Sequence, residues 1–172
     1  MFSQFPKARI IAFEPMPFNF GQLTLYQKAY PNFKWVIENK AIADHNDGLT
    51  LYSATIDGFS TMAGVFASDG RGQKIEVDTL TLEQVMEEKE IVQIDLLKLD
   101  CEGSEYAILY SLSDDSFDRI KKLSIESHPG SGIKQNHKSL VSYLKSKSFQ
   151  IKDQMNSDGT GYIWAWKEVT GA

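Results

Sequence analysis

Cysteine is almost absent from this sequence: Cys101 stands alone, which excludes an intrachain disulfide and a zinc cage built on thiolates. A chain so poor in cysteine suits a reducing compartment, and a cytoplasmic protein is expected. No apolar run approaches the length of a membrane span, and the opening "MFSQFPKARI" lacks the apolar block of a secretory signal. Positive charge is also in short supply, with 18 Lys and Arg against 23 Asp and Glu and a net charge of -5. A nucleic-acid groove and an anionic membrane surface are therefore poor partners. Internal repeats, linkers and low-complexity stretches are missing, as is a phosphate-binding glycine loop.

What is present is the composition of a globular protein, 42% hydrophobic and 24% charged over 172 residues. The length suits a single domain over residues 1–172 that buries a real core. Ile10 to Phe13 form a short apolar run stopped by Glu14 and Pro15, as in a strand buried on both faces. Phe20, Leu23, Tyr26 and Tyr30 follow at helical spacing, and "FKWVIE" reads as the next strand. "GLTLYSA" and "KIEVDTL" alternate as half-exposed strands on either side of the loop-like "IDGFSTMAG". Thr81 and Gln84 have the spacing of a capping box, opening a helix that carries Leu82, Val85 and Met86.

A further strand is expected at "IDLLKLD", a helix over Tyr106 to Leu112, a strand at "IKKLSIESH" and a helix at "HKSLVSYLKSKSF" with Leu140, Val141 and Leu144 on one face. The tail reads as two strands about a Ser-Asp-Gly-Thr-Gly turn, an antiparallel hairpin at a sheet edge. This alternation predicts an α/β fold with a mostly parallel sheet.

Three of the strands end in an acid: Glu14, Asp100 and Glu126. In an open α/β sheet ligands bind in the crevice along the carboxyl edge, so these groups are expected to line one cleft. The competing explanation for Asp100, Glu102 and Ser104 is that they cap the following helix, because side-chain oxygens satisfy its free amides. Glu14 precedes Pro15 and cannot lie inside a helix. An acid at such a strand end commonly accepts hydrogen bonds from ribose hydroxyls.

Taken together, "IIAFEPMPFNF", "ENKAIAD", "VDTLTLEQVM", "LLKLDCEGSEYAIL" and "LSIESH" occur in an order and spacing that resemble the FkbM-like methyltransferases. The resemblance runs from Arg9 to Phe149, and its most specific element is Lys-x-Asp-x-Glu-Gly-x-Glu at Lys98 to Glu105. It implies a Rossmann-like sheet and S-adenosyl-L-methionine as cofactor. By the same resemblance Glu14, with Pro15, holds the ribose, and Lys40 to Ile42, including Ala41, border the adenine. Asp100 and Glu102 lie beside the methionine moiety and the acceptor, while Glu126 and His128 face the acceptor. The implied reaction is O-methylation of a hydroxyl on a sugar or natural product, with a carboxylate or His128 as base. A lone histidine before a proline is more often only a polar surface residue, and Cys101 fills a packing position.

The resemblance also implies a first strand and a glycine-rich cofactor loop, for which the eight residues before Arg9 leave no room. A fragment or shortened chain is the simplest account. The absent strand lies between those at Ile10 to Phe13 and Leu96 to Asp100, leaving edges that invite self-association into a homo-oligomer. Two other readings stay open. Asp100, Glu102 and Glu126 could hold Mg²⁺ in a hydrolase or phosphoryl-transfer enzyme, since oxygen-only ligation suits that ion; the leading reading assigns no metal. Alternatively, the chain is a non-catalytic remnant that serves as a binding or dimerisation module.

Overall fold

The computed structural model describes residues 7–53, 63–64 and 73–168. Most of "IDGFSTMAG" lies outside these residues. The chain divides into two compact units, Met1–Leu80 and Thr81–Ala172.

In the first unit, strand β1 (Arg9–Phe13) runs parallel to β2 (Lys34–Glu38), in a register from Arg9↔Lys34 to Phe13↔Glu38. Helix α1 (Pro17–Ala29) makes the crossover. It starts earlier than the apolar spacing predicts because Pro17 is preset for a first helical turn, where its missing N–H costs nothing. Strand β3 (Ala41–Ala43) pairs with β7 (Thr79–Thr81), whereas β4 (Leu49–Ser53) lies between β5 (Ala63–Gly64) and β6 (Gln73–Val77), antiparallel to both. "KIEVDTL" is thus two strands. The ladder to β4 stops at Val77, and the carbonyl of Asp78 accepts the N–H of Ala41 at 2.9 Å, which hands the chain to a different sheet.

The second unit opens as its sequence predicts. Thr81 caps helix α2 (Leu82–Glu88), its hydroxyl accepting the Gln84 N–H at 3.1 Å while the Gln84 side chain accepts the Thr81 N–H at 2.9 Å. Leu82, Val85 and Met86 are all buried. Next come β8 (Leu97–Asp100), α3 (Glu105–Tyr110), α4 (Asp114–Asp118), β9 (Lys122–Ser127), α5 (His137–Ser146), β10 (Gln150–Met155) and β11 (Gly161–Trp166). They form a four-stranded sheet in the order β10-β11-β9-β8, with the expected antiparallel hairpin at one edge.

One face of this sheet turns Leu123, Ile125, Ile163 and Ala165 inward, and all are buried, as are Leu140 and Leu144 of α5 and Ile108 and Leu109 of α3. The opposite face carries Tyr162, Trp164 and Trp166, which remain about two-fifths exposed. Helix α4 has no counterpart in the sequence reading; Ser113 caps it, accepting the N–H of Ser116.

The content is α/β, but the sheets are small and mixed, not mostly parallel. Strands β1–β2 and β8–β9 pair in parallel, and in both cases helices lie between the consecutive strands and bring the chain back in its original direction. The β4–β6 and β9–β11–β10 ladders are antiparallel. Among the described residues, β1 and β8 each carry a partner strand on one side only. No described helix is long and apolar enough to cross a membrane.

Candidate functional site

The acid-rich segment takes its shape from the end of β8. Register places Asp100 opposite Glu126 on β9, and Glu126 opposite Tyr162 on β11. The Tyr162 hydroxyl donates to Glu126 Oε1 at 3.1 Å, and Lys98, on the same face of β8 as Asp100, reaches Asp100 Oδ2 at 2.9 Å. Past Asp100 the backbone turns through two left-handed residues, Glu102 (φ 49°) and Gly103 (φ 102°). Glycine takes this conformation freely, while at Glu102 it costs about 1–2 kcal/mol.

Glu105 holds that turn in place. Its side chain is fully buried and accepts the N–H of Cys101 at 2.8 Å, the N–H of Gly103 at 3.1 Å and a ring N–H from His128 at 3.0 Å. The Tyr106 hydroxyl donates to the carbonyl of His128 at 2.7 Å, fixing the backbone that carries the ring. A carboxylate has only lone pairs to offer, so the proton shared with Glu105 sits on His128 Nδ1. Nε2 is then turned toward Glu102, 3.8 Å from its Oε2. Asp100, Glu102 and His128 each bring one donor atom to within 4.8 Å of the others.

Burial pushes the Glu102 carboxyl above the usual carboxylate range, with nearby His128 opposing and Asp100, Glu105 and Glu126 reinforcing the rise. The hydrogen bond to Glu105 raises His128 above the ordinary imidazole value, partly offset by burial. Burial pushes the Cys101 thiol up to about 12, which makes it an inert packing group.

Glu14, Pro15, Ala41 and Ile42 belong to the first unit. Glu14 Oε1 accepts the N–H of Met16 at 2.8 Å, at the entry to α1. The Asn39 amide donates to the carbonyls of Glu14 at 2.8 Å and Pro15 at 2.9 Å, tying the ends of β1 and β2 together. Burial raises the Glu14 carboxyl, opposed by its bonds from Met16 and Asn19. Ala41 is buried and its N–H is taken by Asp78; Ile42 is half-buried.

The capping explanation fits neither Asp100 nor Ser104: the Ser104 side chain makes no cap bond, and the loop amides go to Glu105. Sequence reasoning assigned Glu105 no role. The available signal was a glutamate two residues after a glycine in a tight turn, placed to fold back on the turn's amides.

Among curated proteins no sequence matches. The crystal structure of methyltransferase FkbM from Methylobacillus flagellatus KT superposes with a TM-score of 0.60 at 15% identity, covering 92% of this chain and 36% of that one, so the likeness is one of fold. This chain spans little more than a third of that protein's length. The family model of the methyltransferase FkbM domain matches residues 1–151. Lys98 to Glu105, whose last residue anchors the loop, falls within that match, and the chain belongs to the FkbM methyltransferase domain family.

Proposed function

We propose that this chain is the cofactor- and acceptor-binding part of an S-adenosyl-L-methionine-dependent methyltransferase with a Rossmann-like arrangement, acting on a hydroxyl of a sugar or natural product. The observation that carries the reading is the Lys98 to Glu105 motif within the family match, folded so that Asp100, Glu102 and His128 converge.

The residues present fit the nucleoside end of the cofactor. Glu14 directly follows a parallel strand, is half-buried, and accepts from the Met16 amide and the Asn19 side chain, with lone pairs remaining for a ribose diol. Asn39 fixes the Glu14 and Pro15 backbone, and Ala41 and Ile42 offer an apolar border for an adenine. When bound, the cofactor supplies a sulfonium methyl already activated for attack.

The chain's own task is then to hold an acceptor oxygen and take its proton. Glu102 and His128, both held above their ordinary values, form a pair suited to accept that proton. Asp100 and Glu126 line the same strand ends and orient the acceptor.

Calorimetric titration of the 172-residue chain with S-adenosylhomocysteine tests the reading. Binding is expected, weakened about 10–100-fold by Glu14→Ala, the loss of hydrogen bonds to a charged group. A folded chain that does not bind overturns it.

A further inference from the structure

We infer that Asp100, Glu102 and His128 form a site for one divalent transition-metal ion. The donors come from two separate segments, the end of β8 with its loop and the residue after β9, yet their ligand atoms lie within 4.8 Å of one another. This is more than a patch of surface acids, because an imidazole takes part and its direction is set from behind. Glu105, buried and outside the donor set, accepts the Nδ1 proton at 3.0 Å and leaves the Nε2 lone pair aimed at the carboxylates. A carboxylate behind a ligating histidine is the arrangement that fixes tautomer and ring orientation in metal sites.

Distances agree with this reading. Nε2 and Glu102 Oε2 are 3.8 Å apart, too far for a hydrogen bond. Two donors on one ion, each about 2.1 Å away, can be separated by up to about 4.2 Å. The set as a whole spans no more than 4.8 Å, so closing it on one ion asks for shifts of less than about 1 Å, within reach of side-chain torsions.

One nitrogen and two carboxylates favour Mn²⁺, Fe²⁺ or Zn²⁺ over Mg²⁺ or Ca²⁺, which prefer oxygen alone. Glu126 stays outside the 4.8 Å set, engaged by Tyr162, and contributes charge at the rim. Lys98 is a competitor for Asp100 Oδ2, and the other oxygen of that carboxylate remains for the ion. Three protein ligands leave coordination positions open. On the methyltransferase reading, and resting on it, an acceptor hydroxyl occupies one of them, and the ion takes over from Glu102 and His128 as the activating group, acidifying the hydroxyl so that its proton leaves to solvent.

The test is titration of the chelator-treated 172-residue chain with Mn²⁺, following the free-ion signal by electron paramagnetic resonance, with cooperative thermal unfolding as the check of folding. One ion per chain is expected. Asp100→Asn and His128→Asn should each weaken binding at least tenfold, and Glu105→Gln, which leaves all three ligands in place, about 10–100-fold. Asp100 is exposed, so its variant keeps the test decisive even where Glu105→Gln fails to fold. A folded chain with no saturable binding of Mn²⁺ or Zn²⁺, or binding reduced less than tenfold by both ligand substitutions, overturns the proposal. Because metal binding is read without the cofactor, failure of the S-adenosylhomocysteine titration leaves this result standing, and the reverse.

Discussion

Two histidines of the second unit invite comparison, because the end of β9 leads to both. Ser127, the last residue of β9, contacts His137 Nδ1 at 2.8 Å, and His137 Nε2 meets Asp153 at 3.0 Å. The Ser127 hydroxyl also donates to the Gly161 carbonyl at 3.2 Å. Serine, imidazole and carboxylate are thus in contact, but Ser127 is wholly buried and His137 nearly so, and no substrate carbonyl can reach the hydroxyl. Every polar atom of the imidazole has a partner, so the cluster functions as a polar clasp in the core.

His128 follows directly in sequence and differs in one respect. Its Nδ1 is as firmly held, by Glu105, but its Nε2 faces two carboxylates across a space too wide for a hydrogen bond. Closed bonding makes a stability element; a nitrogen held on one side and open on the other makes a site. The two clusters should therefore respond to substitution in opposite ways.

The largest effect should come from Glu105, which belongs to both behaviours. Glu105→Ala strands the Cys101 and Gly103 amides and frees the His128 ring, and urea unfolding should register a loss of about 3–5 kcal/mol. Little change would make the loop self-supporting and Glu105 dispensable.

Next comes the closed cluster. A Cβ at Gly161 would lie 2.5 Å from His137 Nδ1 and 2.6 Å from the Gln154 carbonyl on the paired strand, and neither a bonded ring nor a ladder carbonyl can move aside. Gly161→Ala should cost about 2–3 kcal/mol, with Mn²⁺ affinity unchanged.

A smaller effect is expected at Glu83, which accepts the Ser113 N–H at 2.9 Å and the hydroxyls of Ser113 and Ser116 at 2.6 and 2.7 Å. These bonds, Ser113 first, hold its carboxyl below the usual range. Glu83→Gln should cost about 1 kcal/mol near neutrality. A depressed folded-state pKa gives stability that is full above the unfolded-state value and lost as pH falls through the lower folded-state one. The gap between wild type and variant should therefore narrow in acid, below about pH 4.5; a gap independent of pH would assign the effect to packing.

The smallest stability change belongs to the open cluster. Asp100→Asn removes one exposed ion pair with Lys98, and thermal unfolding should shift by no more than about 0.5 kcal/mol while ion binding collapses. Equal losses in both measurements would erase the distinction between the two histidines.

Much of this molecule is legible from local rules. The Thr81 capping box, the buried stripe of Leu140, Val141 and Leu144, and the terminal hairpin depend on residues a few positions apart, and all are found where the sequence predicts them. The division of "KIEVDTL" at Asp78 is not legible, because both halves alternate equally well and the break comes from Ala41, remote in sequence, claiming the Asp78 carbonyl.

The same division runs through the candidate site. Sequence alone determined that acids end the strands at Glu14, Asp100 and Glu126, and that Lys98 to Glu105 carries a family motif, since pattern and spacing are properties of the chain itself. Which acids meet, which of them faces inward, and which histidine nitrogen stays open were decided only by tertiary structure. Glu105 and His128 are 23 positions apart, and it takes the parallel pairing of β8 with β9 to bring their ends together and assign one carboxylate to the loop and others to the open side of the imidazole.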